Sequence, residues 1–145
     1  MYEIKVQSPF TRNPIAYPDC NSEKAMALYQ EIDWEGLYQQ IEASGSSPEN
    51  PFYFIEINRQ NNLGEKETLC ISGCLWGRVG IGYMRSKMER KGFFKKKDVL
   101  NPRFATQMDG MDTPFALSCV QAFLKGDVNY LEQNLINQDE DYRTG

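Results

Sequence analysis

Histidine is absent from the 145 residues. That removes the side chain most often used to move protons at neutral pH, and with it the usual Ser-His-Asp and Cys-His arrangements. It also removes the nitrogen ligand of most zinc sites. The four cysteines, Cys20, Cys70, Cys74 and Cys119, form no CxxC pair that would replace it. Long apolar runs are missing too, and none approaches the ~20 residues that span a bilayer as a helix. The N-terminus, Met1-Tyr2-Glu3-Ile4-Lys5-Val6, has no cationic region followed by an apolar stretch, so no export signal is expected. The expected compartment is the cytoplasm, where the cysteines are structural thiols rather than disulfides. Cys70 and Cys74 would share one strand face but sit too far apart to bridge. Neither a cofactor nor a metal is expected.

What is present describes one domain over residues 1–145. The chain is 41% hydrophobic and 12% aromatic, which argues against disorder. A chain of this length buries enough surface to fold without disulfide or metal. Its mean hydropathy of −0.59 points to a modest core. The net charge of −4 hides a division. Between Arg85 and Arg103 lie eight basic residues and two acids, Glu89 and Asp98, a net of +6. The rest of the chain has eight bases and eighteen acids, a net of −10. An acidic majority repels nucleic acid and suits a basic protein partner, because complementary charge speeds encounter.

Alternation at Tyr2, Ile4 and Val6 predicts a strand, and Pro9, Pro14 and Pro18 a loop after it. Asp19-Cys20-Asn21-Ser22 supplies N-cap chemistry before Ala25, Leu28, Tyr29 and Ile32 at helical spacing. A second helical pattern holds Trp34, Leu37, Tyr38 and Ile41, with Asp33 either capping it or sitting within one bent helix, and Gly45 a stop. Phe52-Tyr53-Phe54-Ile55-Glu56-Ile57 is the clearest strand. The turn Asn61–Gly64, a return strand at 68–72 and a third strand at 75–83 continue an antiparallel meander. Residues 84–91 read either as a short helix or as more sheet, and 93–100 as a fourth strand. Thr113-Pro114 reads as a helix start ended by Gly126, and Asp127 caps a last helix. The expected class is α+β, an antiparallel β-meander sheet with helices packed on one face.

Chemistry-bearing patterns are few. Glu56, Asp109 and Asp112 are the candidates for carboxylate chemistry, although Asp109-Gly110-Met111-Asp112 reads more simply as a turn leading into the Thr113 cap. Gly77-Arg78-Val79-Gly80-Ile81-Gly82 lacks the Walker lysine and the dinucleotide spacing, and reads as a kinked or bulged strand. Trp76, just before it, could anchor a partner in the space the glycines leave, but reads more simply as core. Trp34, framed by Glu31, Asp33 and Glu35 with Glu42 two turns on, has the look of an interface anchor among charges. Its spacing with Tyr38 and Ile41 equally suits burial, with the acids left exposed. Lys91, Phe93, Phe94, Lys95, Lys96 and Lys97 form the opposite pole, a basic stretch with two aromatics.

The acidic domain with the strand at 52–57, a meander and a terminal helix at 115–125 resembles the small cytosolic immunity proteins that accompany bacterial polymorphic and contact-dependent growth-inhibition toxins. That resemblance implies a binding protein rather than an enzyme, one that occludes the active site or substrate surface of a cognate toxin domain. On this expectation the binding residues are Glu31, Asp33, Trp34, Glu35 and Glu42, and the basic stretch from Lys91 to Lys97 is the alternative interface. The chain is then a monomer or weak homodimer without membrane contact. Two other classes compete: a small carboxylate enzyme acting on a nucleotide-like substrate, and a nucleotide- or RNA-binding accessory domain.

Overall fold

The computed structural model describes residues 1–44, 53–92 and 97–137. Six strands form one antiparallel sheet: β1 (Tyr2–Gln7), β2 (Ile15–Cys20), β3 (Phe54–Gln60), β4 (Lys66–Gly73), β5 (Val79–Lys91) and β6 (Lys97–Met111). Their order is β2-β1-β3-β4-β5-β6. The helices are α1 (Ser22–Gln30), α2 (Trp34–Ala43), α3 (Thr113–Lys125) and α4 (Val128–Asn134). The fold is α+β as expected, and β3 to β6 form the meander.

Register explains which face the helices cover. One row across the sheet reads Ile4, Ile57, Leu69, Tyr83 and Thr106, and the next reads Val6, Ile55, Ile71, Ile81 and Met108. These apolar rows meet Leu28, Val120, Phe123 and Leu131 from the helices in the core. The row between them on the other face reads Lys5, Glu56, Cys70, Gly82 and Gln107. Period-two alternation therefore puts the polar set away from the helices.

Local chemistry sets the element ends. Asn21 caps α1, its side chain accepting from Lys24 N–H at 2.8 Å. Asp33 does the same for α2 through Gly36 N–H at 3.1 Å, so 22–43 is two helices rather than one bent helix. Gly126, at φ 75°, closes α3 in the left-handed conformation that glycine adopts without strain.

Four expectations change. Residues 15–20 form a strand despite Pro18, because β2 lies at the sheet edge, where a missing N–H breaks no ladder. Residues 75–77 are a tight turn, and the strand expected there begins only at Val79. It then runs through 84–91 without a helix. β6 continues to Met111, so Asp109 and Gly110 are strand rather than turn, and the α3 cap is Asp112, whose carboxylate accepts from Phe115 N–H at 2.8 Å. Thr113 is the first helical residue instead. The Gly45 stop, the loop after it and Phe52 lie outside the described residues, as do Phe93, Phe94, Lys95 and Lys96.

Two arginine–glutamate pairs tie the C-terminal helices to the sheet. Arg59 pairs with Glu67 at 3.0 Å, stacks on the Phe123 ring and donates to the Phe123 carbonyl. Arg85, 4% exposed, forks onto Glu132 of α4 with two bonds of 2.8 Å, donates to Thr106 at 2.6 Å and contacts the Tyr83 and Phe104 rings. Gly73 is a packing requirement of another kind: a Cβ there would fall 2.0 Å from the Tyr53 ring. Gly73→Ala is expected to destabilise the fold by about 1–3 kcal/mol through overpacking. In a thermal melt that is a drop of roughly 3–10 °C. An unchanged melting temperature would refute the contact.

Candidate partner-binding surface

The two tryptophans differ: Trp34 takes the buried reading, and Trp76, read more simply as core, is exposed. Trp34 opens α2 but is only 5% exposed, packed between Tyr29 and Tyr53 at centroid distances of 6.3 and 5.8 Å. It cannot anchor a partner, and that assignment is corrected. Trp76 is 75% exposed, beside Leu75 at 60%. It sits in the turn joining β4 to β5, closed by Arg78 N–H onto the Leu75 carbonyl at 3.2 Å and by Cys74 N–H onto the Arg78 carbonyl at 2.8 Å.

The backbone of that turn is unusual for its sequence. Trp76 has φ 60° and ψ 32°, and Gly77 has φ 74°. Positive φ at both central residues marks the mirror-image turns that match the twist of antiparallel strands. Asn-Gly is the favoured pair there, because asparagine and glycine tolerate the left-handed region. An aromatic residue at the first position costs about 1 kcal/mol or more. Trp76 thus stabilises neither the turn nor the core.

Helix α2 packs on this turn. A Cβ on Gly77 would lie 3.0 Å from the Glu35 Cα, so helix and turn are in close approach. One turn further along α2 the Tyr38 hydroxyl lies between the Glu42 carboxylate and the Trp76 backbone. Partial burial, then the Glu42 charge, push that hydroxyl above its ordinary value. Glu31, Asp33, Glu35 and Glu42 are all exposed. Among the described residues none of the four is in a salt bridge. Asp33 and Glu35 line one groove with the exposed tryptophan, and Glu42 adjoins it through Tyr38. Glu31 faces a separate cleft of about 290 Å³, shared with Leu28, Ile32, Leu37 and Asp33. The signal for Trp76 was in the sequence: Trp-Gly between two strand patterns is the position where Asn-Gly is expected.

The opposite pole is built differently. β4 pairs with β5 only as far as Met84, so beyond it β5 and β6 form a two-stranded ribbon. Among the described residues, four of its cations are engaged. Arg85 is buried on Glu132, Lys87 reaches Glu132 at 3.1 Å, Lys91 reaches Glu89 at 3.2 Å, and Arg90 lies 3.6 Å from Asp98. Lys91 and Lys97 face each other across the ribbon, a like-charge pair. A phosphate stripe needs uncommitted cations, and four of these are committed.

The residues considered for catalysis are separated. Asp112 caps α3, Glu56 lies on the open sheet face, and Asp109 accepts from the Gln107 amide at 2.9 Å. Among the described residues no three acids or cysteines gather as metal ligands would. Burial, and at Cys70 the Glu56 charge, push the Cys70 and Cys119 thiols up to about 12, so neither is a thiolate at neutral pH. All four cysteines are free. No helix among the described residues is long and apolar enough to cross a membrane. No family model, curated protein or solved structure matches the chain.

Proposed function

We propose that this chain is an immunity-type binding protein that acts in the cytoplasm by covering the active site or substrate surface of a cognate toxin domain. The observation that carries the reading is Trp76. A large aromatic residue stands in a strained turn, exposed to water, among Asp33, Glu35 and Glu42. It lies outside the packed core, and an exposed aromatic among charges has the composition of an interface hot spot. Domains that act on nucleic acids carry basic surfaces, and an acidic inhibitor occupies the place of the displaced phosphate backbone. The binding surface on this reading is Glu31, Asp33, Glu35, Glu42 and Trp76, with Trp34 supporting it from beneath.

The test is co-purification with a candidate toxin domain from a neighbouring reading frame, followed by charge reversal. Asp33 is the cap of α2, so it is changed to Asn, which keeps the cap and removes the charge. Adding Glu31→Lys and Glu35→Lys is expected to slow association about 10-fold or more at low salt, with the fold intact. Lys95→Glu with Lys96→Glu is expected to change the rate much less. If the acidic variants bind normally and the lysine variants do not, the interface is the basic ribbon and this surface is wrongly assigned.

A further inference from the structure

We propose that the groove beside Trp76 is a guanidinium site, which takes an arginine side chain of the partner stacked on the Trp76 indole with its charge toward Glu35 and Asp33. This rests on the reading that the acidic pole is the partner surface, and names the chemistry it recognises. The groove is about 540 Å³ and runs between the α1–α2 junction, the Trp76 turn and the start of α3. Its walls combine two kinds of surface. Trp76, Ile32, Pro114 and Leu117 are apolar, and Asp33 and Glu35 supply two carboxylates. No lysine or arginine lines it. The start of α3 would attract anions, but Asp112 already covers it by capping Phe115 N–H.

That combination selects for one side chain. A cation over an indole face is attracted by the ring quadrupole. A carboxylate beside the ring then bonds the outward edge of a planar fork. Arginine satisfies both at once, because its guanidinium is flat, weakly hydrated and always charged. Lysine offers a compact, strongly hydrated charge that stacks less well. Glu35 lies beside the turn because the first turn of α2 packs against Gly77. The exposed face of Trp76 gives the groove a purpose that core packing does not.

The test needs no toxin. The full chain has two indole N–H groups, Trp34 and Trp76, which Trp76→Phe distinguishes in a nitrogen-15 correlation spectrum. Acetyl-Gly-Arg-Gly-amide is titrated against the same peptide carrying lysine or citrulline. The Trp76 signal is expected to shift saturably with arginine in the millimolar range, about 5-fold or more tighter than with citrulline, with lysine between them. Glu35→Gln is expected to weaken the arginine response by a similar factor. Citrulline binding as well as arginine, an undiminished response in Glu35→Gln, or no saturable shift at Trp76 would each overturn the site. An arginine-specific shift in a chain that binds no toxin would keep the site and overturn the immunity reading. A toxin complex formed without any such shift would do the reverse.

Discussion

Trp76→Asn is expected to abolish most of the partner affinity while leaving the domain as stable as before, or more stable. The two effects have opposite signs for one reason. Asparagine tolerates the left-handed backbone that Trp76 is forced to adopt at φ 60°, so the turn gains up to about 1 kcal/mol. The exposed indole makes no core contact whose loss would offset that gain. As a desolvated anchor in a complex, the same side chain is worth about 2–4 kcal/mol, roughly 30- to 1000-fold in affinity. Thermal melts and calorimetric titration of the same preparation read both quantities. A variant that melts lower and binds normally would show that Trp76 serves the fold.

Glu132→Leu is expected to be the most damaging change in the C-terminal half, and more damaging than Arg85→Met. Arg85→Met breaks one ion pair and Glu132→Leu two, and they leave different orphans. Without Glu132, the Arg85 guanidinium stays buried at 4% exposure with only neutral acceptors, Thr106 and the Tyr83 carbonyl. Such an uncompensated charge costs about 3–5 kcal/mol, a melting drop of roughly 10–20 °C. Without Arg85, Glu132 keeps Lys87 at 3.1 Å and is 28% exposed, so water and the lysine offset part of the loss. Replacing both residues by apolar ones is expected to recover most of the stability.

The same pair gives the fold an acid limit. Burial opposes ionisation of Glu132, but the bonds from Arg85 and Lys87 outweigh it and hold the carboxyl below its ordinary 4.5. A carboxyl depressed in the folded state contributes stability above its unfolded pKa and loses it as pH falls through the folded one. Melting temperature is therefore expected to hold from pH 7 to about 5 and then to decline below 4.5. The Glu132→Gln variant lacks that component of the decline.

Much of the fold was legible because its signals are local. Alternation at Tyr2, Ile4 and Val6, the Asn21 and Asp127 caps and the Gly126 stop all act within a few residues. Pro18 misled because proline forbids only an interior strand, and edge position is a property of the whole sheet. Thr113 and Asp112 are both good caps, and one residue separates the two choices. The Arg85–Glu132 pair spans 47 residues and has no local pattern. The site was half legible. The acids of α2 were found from their charge, but composition cannot say which of Trp34 and Trp76 faces water. Strand register decides that, since the apolar rows of the sheet end before the turn.

Hydrogen exchange on a complex of this chain with a candidate toxin domain from a neighbouring reading frame tests the central claim most directly. Binding is expected to slow exchange at residues 31–38 and 74–78, around Trp76, and to leave 86–91 and 97–103 unchanged. Protection confined to the ribbon residues, or no complex at all, would contradict the account.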